Sequence, residues 1–271
     1  MNNKSRKHFY YSAIFWMALF TIVSFCTVRS VKASDVLQLP DNLKIIEREA
    51  FANISASEII FPEGIERIEP QAFDGCDMIQ AFNLPDSITY IADNAFPDCS
   101  PVVTVSPDSY GETFAHYKGW ICNYRSSDLI GYEYSSWSRG EENGLEITAA
   151  PQNSVLYLPD LIDGVPVLSI GERLQEGNTA LGFLHIPQKT KQIAQYAFSN
   201  CTSLGTLSLP DSLETIQQYC FNGCSSLSGD LVLPERVRYV QQYAFYGCSG
   251  LTGQLSIPDT VYHLGMYCFA G

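Results

Sequence analysis

The stretch IPQKTKQIAQYAFSNC, Ile186–Cys201, decides the fold because the chain repeats it. Leu209–Cys224 reads LPDSLETIQQYCFNGC, Leu233–Cys248 reads LPERVRYVQQYAFYGC, and Ile257–Gly271 reads IPDTVYHLGMYCFAG. Pro187, Pro210, Pro234 and Pro258 step by 23, 24 and 24 residues, and Phe198, Phe221, Phe245 and Phe269 step with them. Self-similarity at such a period marks a solenoid, in which each unit buries its apolar face only against its neighbours. Architecture is therefore more legible than function, because the outer face of a solenoid varies freely.

One unit follows from elementary rules. Leu207-Ser208-Leu209 alternates apolar and polar like a half-buried strand. Pro210 ends it, since proline cannot donate to a ladder. Asp211-Ser212 supplies turn chemistry, Leu213 and Ile216 return to the core, and Phe221 is buried in a tight turn. Asn222-Gly223 permits a left-handed kink before Cys224 closes the coil. The same unit occurs earlier with Pro40, Pro62 and Pro85 leading to Phe51, Phe73 and Phe96. In the degenerate start of the second run, Leu174 is expected at the phenylalanine position.

Between the two runs the pattern breaks. Tyr110, Phe114 and Tyr117 in Ser109–Trp120 have helical spacing, so a short helix is expected to cover the end of the first stack. Residues 123–145 lack the repeat and form the expected boundary. Glu146-Ile147-Thr148 and Val155–Leu158 read as strands, and Asp163-Gly164 as a turn into the second stack.

The units, the lead-in IDGVPVLSIG (Ile162–Gly171) and the Ser109–Trp120 segment together resemble the BspA-like leucine-rich repeat family of secreted and surface proteins. The resemblance covers roughly residues 35–271. It implies a mainly β solenoid: a right-handed leucine-rich repeat stack with a parallel sheet and short helical turns, here in two blocks. Residues 34–122 would be the first block with its closing helix, 123–160 a connector, and 161–271 a second block that stops within a repeat. It also implies adhesion, or binding of proteins on host or neighbouring cells. No catalytic residues come with the motif.

Lys4, Arg6 and Lys7 precede Phe9–Val28, which carries no charged side chain, and Val31-Lys32-Ala33 offers a cleavage site. Residues 1–33 thus read as a secretory signal peptide, with an uncleaved membrane anchor as the rival reading. The expected location is secreted or cell-surface. The chain carries a net charge of −13, and its first 33 residues hold five basic and no acidic residues. The remainder therefore has 11 basic against 29 acidic residues. Such a surface repels phosphate backbones, which argues against nucleic acid as a partner. A protein or glycan ligand fits better.

Nine cysteines in a secreted chain suggest disulfides, but their positions argue for buried thiols. Cys76, Cys99, Cys201, Cys224 and Cys248 share one repeat position, with Asn53 and Asn178 expected there where cysteine is absent. Cys220 and Cys268 replace a small buried alanine. Cys122 fits no repeat position. The spacing Cys220-x3-Cys224 is not that of a zinc site, the histidines are far apart in sequence, and neither a nucleophile elbow nor a phosphate-binding loop is present. The sequence implies no cofactor, no metal and no enzyme.

Candidate binding residues are the outward positions of the pre-proline strands. Alternation selects Glu58, Ile60, Ala81, Asn83, Thr104 and Ser106 in the first block. In the second it selects Phe183, His185, Thr206, Ser208, Asp230, Val232, Gln254 and Ser256. Most are small or polar, suiting a broad, flat contact. The expected function is non-catalytic adhesion or binding. The alternatives are the N-terminal targeting arm of a larger secreted enzyme or toxin, and a passive spacer.

Overall fold

The structure, a computed structural model, describes residues 36–271; the leader read in residues 1–33 lies outside them. The described chain winds into a mostly parallel β solenoid with two strand ladders. The pre-proline ladder runs through Val36–Gln38, Glu58–Ile60, Ala81–Asn83, Val102–Thr104 and Ile121–Tyr124, all parallel. The second ladder lies after the proline turn. In the first run it pairs Ile45–Ile46, Arg67–Ile68 and Tyr90–Ile91.

The second run reverses the emphasis. Its longest ladder is the post-proline one, from Val165–Ile170 through Gln192–Ile193, Thr215–Ile216 and Tyr239–Val240 to His263–Leu264. The pre-proline strands pair only as Val155–Tyr157 with Phe183–His185 and as Leu231–Val232 with Leu255–Ser256. The expected strand Leu207–Leu209 does not form. Cys201 lies nine residues before its proline, whereas Cys224 and Cys248 lie ten before theirs. The ladder is interrupted at this coil, between Phe183–His185 and Leu231–Val232.

Residues expected to break the repeat instead carry the sheet across the boundary. Glu133–Arg139 and Glu142–Ala149 form an antiparallel hairpin, and the latter strand pairs with Val165–Ile170. Leu161–Ile162 pairs in parallel with Ile121–Tyr124 and turns through Asp163-Gly164, both left-handed, into Val165–Ile170. The helix is Tyr110–Tyr117. Ser109 Oγ accepts from Glu112 N, and Glu112 Oε2 accepts from Asp108 N, so the first turn is capped from both sides. Phe114 then packs on Trp120, which meets Phe96 edge-on, closing the aromatic core of the first run.

Inside, equivalent side chains stack coil on coil. Phe51, Phe73 and Phe96 stack at 5.4 and 4.7 Å, and Phe198, Phe221, Phe245 and Phe269 at 5.4, 5.2 and 5.6 Å. Most coils turn on two left-handed residues four apart: Glu49 and Asn53, Gln71 and Gly75, Tyr196 and Asn200, Tyr219 and Gly223, Tyr243 and Gly247. A Cβ on Gly75 would sit 2.5 Å from Asn53 Oδ1, so stacking as well as backbone angle selects glycine there.

This register corrects two expectations. Asn53 aligns with Gly75, not with Cys76, and serves as a left-handed residue; Ile54 takes the cysteine position. Gln175, not Leu174, aligns with Phe198, since Gln175 N bonds to Ala197 O as Phe198 N bonds to Cys220 O. Gln175 is fully buried. The coil beneath it follows a different path and leaves two carbonyls facing in. Gln175 Nε2 donates to both, Ala150 O and Pro151 O, which phenylalanine could not do.

All eight described cysteines are buried free thiols. Cys76, Cys201, Cys224 and Cys248 each donate Sγ–H to a main-chain carbonyl of the preceding coil at 3.1–3.2 Å. Asn178 does the same with its amide toward Asn153 O. Burial pushes the Cys99 and Cys248 thiols up to about 11 and Cys201 to about 12, leaving little thiolate at neutral pH. The eight thiols should therefore resist alkylation in the native protein and all titrate in denaturant without reductant; recovery of six or fewer would show a disulfide. Phe221→Ala, which empties the middle of a ring stack, should cost about 3–5 kcal/mol in denaturant melts.

Candidate binding surfaces

Three surfaces deserve comparison: the predicted pre-proline face, a polar junction behind it, and an acidic cleft beside that junction. On the first run, Glu58, Ile60, Ala81, Asn83, Thr104 and Asn123 floor an open groove of about 610 Å³. Glu63 and Arg125 border it. The inward partners Ile59, Phe82 and Val103 are buried, so the floor rests on a packed core. Asn83 is partly committed to the fold: its amide accepts from Phe61 N at 2.9 Å and donates to Phe61 O at 3.1 Å. Ser106 is half-buried beyond the strand.

On the second run, Phe183, Thr206, Ser208, Asp230, Val232, Gln254 and Ser256 are exposed on successive coils. Asp230 Oδ1 accepts from Gln254 N, so one of these residues braces its neighbour. His185 departs from the simple alternation. Its ring turns toward the boundary between the runs, 4.4 Å from the ring of His116, and its Nε2 is buried. A side chain from the preceding run lies there, which strand alternation alone cannot anticipate. Phe183 and His185 therefore do not form one exposed pair.

The junction gathers residues scattered along the chain. Glu112, 3 % exposed, accepts from Tyr124 Oη at 2.6 Å. His116 Nε2 lies 3.3 Å from the same hydroxyl, and its ring stacks on Tyr157 at 4.3 Å. Asp160, 1 % exposed, accepts from Cys122 N with one oxygen and Gln188 N with the other. It thus ties the last strand of the first run to a proline turn of the second, and places Cys122, buried in that strand, within the same cluster. His185 Nε2 lies 3.6 Å from Asp160 Oδ1. Sequence reading missed this cluster because no motif links 112, 116, 124, 160 and 185. One signal was available: Pro159-Asp160 occupies the repeated Pro-Asp turn position of Pro40-Asp41 and Pro210-Asp211.

Beside the junction, a cleft of about 390 Å³ is lined by Asp86, Asp108, Glu112 and Asp128 together with Tyr132 and Tyr157. No basic side chain lines it, so it disfavours anions. Among the described residues, no group of three or more His, Cys, Asp or Glu side chains has the geometry of a metal centre.

Burial, and then the neighbouring His185, lowers the His116 pKa to about 4, while burial raises that of Glu112. The signs oppose one another. Below pH 6.5 the unfolded chain protonates His116 while the folded chain does not, so that stability is lost as pH falls toward 4. Glu112 binds its proton more tightly when folded, so its contribution is present at low pH and lost as pH rises through its ordinary range to its raised value. His116→Phe, which can keep the stack on Tyr157, should flatten the fall in melting temperature between pH 6.5 and 4. The wild-type slope there corresponds to at most about 3 kcal/mol. An unaltered slope would assign the acid sensitivity elsewhere.

A family profile described as a BspA type leucine rich repeat region matches residues 24–117 and 165–271, in six copies. No curated protein matches the sequence. Among solved structures, a leucine-rich repeat protein of T. pallidum is 24 % identical, covering 46 % of this chain and 80 % of that one, with a TM-score of 0.36. A leucine-rich cell surface protein of Faecalibacterium prausnitzii is 17 % identical over 85 % of this chain, with a TM-score of 0.36, and the match spans 64 % of its length. A leucine-rich repeat protein of Bacteroides ovatus is 20 % identical over 86 % of this chain and 57 % of its own, with a TM-score of 0.33.

Proposed function

This chain belongs to the BspA-type leucine-rich repeat family, and from that premise we propose that it is a secreted or surface-displayed binding protein. Its ligand is a protein or glycan on host or neighbouring cells, and it works by adhesion rather than catalysis. The observation that carries this reading is the open groove over Glu58, Ile60, Ala81, Asn83 and Thr104. It is long, shallow and built on rigid strands, which suits an extended macromolecular contact better than an enclosed small substrate. The exposed row from Phe183 to Ser256 extends the available surface on the second run.

One further feature supports the location: the sequence before Ser34 has the composition of an export signal. The family profile brings no catalytic residues, and binding explains the polar groove without invoking chemistry.

The test places bulk and charge on the groove floor. Glu58→Arg with Ala81→Arg should weaken binding of the intact protein to target cells by at least about tenfold, with the thermal melt unchanged. Phe183→Ala and Val232→Ala test the second run in the same assay. Undiminished binding by all these variants would remove the pre-proline face from the account.

A further inference from the structure

The turn after the post-proline ladder requires a left-handed residue but not an aromatic one. Glu49, Gln71 and Arg173 fill it at φ 58, 58 and 57°. In the four following coils of the second run it is tyrosine each time: Tyr196, Tyr219, Tyr243 and Tyr267, at φ 55–59°. A bulky side chain is disfavoured in that region, so four in a row are not a consequence of the backbone. Their rings stack at 4.8, 4.8 and 5.4 Å, and the Arg173 guanidinium lies 4.4 Å over the first. Tyr196, Tyr219 and Tyr243 are half-buried, so a row of phenols reaches solvent.

Amides line the same face one position earlier. Gln195, Gln218 and Gln242 precede the tyrosines, and Gln242 Nε2 donates to Gln218 Oε1 at 3.0 Å. Beside them an open groove of about 580 Å³ is lined by Gln218, Gln241 and Gln242 with Tyr239, His263 and Met266 among its walls. Its lining contains no Asp, Glu, Lys or Arg, on a chain whose net charge is −13. The equivalent turn residues of the first run are Glu47-Arg48-Glu49 in its first coil, Glu69-Pro70-Gln71 in its second and Ala92-Asp93-Asn94 in its third, with no tyrosine among them.

We infer that this face is a second binding site, separate from the pre-proline groove, and that it takes a neutral polysaccharide laid along the stack. Each amide and each phenol both donates and accepts, as a sugar hydroxyl requires. The half-exposed Tyr239 ring offers an apolar surface for the C–H face of a pyranose. The coil repeat is one strand spacing, comparable to the length of one sugar unit, so consecutive residues of a linear glycan meet equivalent groups. The uncharged lining offers no counter-charge to a polyanion or to a basic protein segment.

The test is affinity electrophoresis of the intact protein through gels containing hydroxyethylcellulose, β-1,3-glucan or α-mannan, with heparin as the charged control. At least one neutral polysaccharide should retard the protein, heparin should not, and added salt should leave the retardation unchanged. Gln218→Ala with Gln242→Ala should reduce the affinity by about tenfold. Gln241→Glu, a milder change, should reduce it as well, with melting temperature as the check on folding. Glu58→Arg with Ala81→Arg should leave it intact, which separates this site from the adhesive groove. No retardation by any of the three polymers overturns the inference, as does retardation that persists in the glutamine variants. So would loss of cell binding by those variants that is equal on enzymatically deglycosylated cells, which would assign the face to a protein partner.

Discussion

Each coil must reverse direction within a few residues while keeping its backbone bonded to the coils on either side. The structure meets this constraint with two left-handed residues four apart, which bracket the buried aromatic of the coil. Nearly everything else is arranged around that device. The inner amides of the turn bond to carbonyls of the next coil, as in Tyr196 N to Gln218 O, Phe198 N to Cys220 O and Asn200 N to Asn222 O. The coil with Asn94 and Asp98 lacks both left-handed residues, and it carries Pro97 between them. Proline has no N–H to give, and at this point no further repeat of the first run follows. Trp120 and the helix take over there, with Trp120 Nε1 donating to Cys99 O.

The thiols belong to the same accounting. A turn with so many main-chain groups packed inside must satisfy each one, and space is short. Cysteine fits as a small apolar body with a weak donor, and its Sγ–H reaches a carbonyl one coil back. Asparagine at 178 and glutamine at 175 do the equivalent work where the stack restarts and the carbonyls lie differently. Polar residues thus enter the core where the repeat is imperfect. That is also why cysteine count is a poor guide to disulfides here: the spacing follows the coil, not a pairing of sulfurs.

The repeat itself was legible because prolines and phenylalanines keep step within each run, from Pro40 to Phe96 and from Pro187 to Phe269. Which strand ladder would dominate was not. Alternation in Leu207-Ser208-Leu209 is a strand signal, yet the two-residue pairs at Ile193, Ile216 and Val240 carry the continuous ladder of the second run. A two-residue strand has no periodicity to read. The one-residue slip at Leu174 and Gln175 was equally hidden, since an apolar residue looks right beside a polar one until main-chain bonds fix the register. The junction is the extreme case: Glu112, Tyr124 and Asp160 meet because two runs of coils abut, and nothing local in the sequence encodes that.

This separation of roles explains why the outer faces differ so sharply between the runs. The left-handed position accepts Glu49, Gln71, Arg173 or Tyr219 with almost the same φ, so its side chain is decoupled from the fold. Composition there records surface chemistry, not architecture. The first run places Glu49 and Gln71 at this turn and small or polar residues in its pre-proline groove; after Arg173 the second places four tyrosines there. A solenoid whose core repeats while its faces diverge presents distinct chemistries at fixed separations on one rigid body. The junction holds that arrangement through Asp160, whose two oxygens bond to Cys122 N of one run and Gln188 N of the other. Loss of that carboxylate would leave the buried Cys122 N–H and the part-buried Gln188 N–H unpaired, so it is required by the same backbone accounting that places glycine and cysteine in the turns.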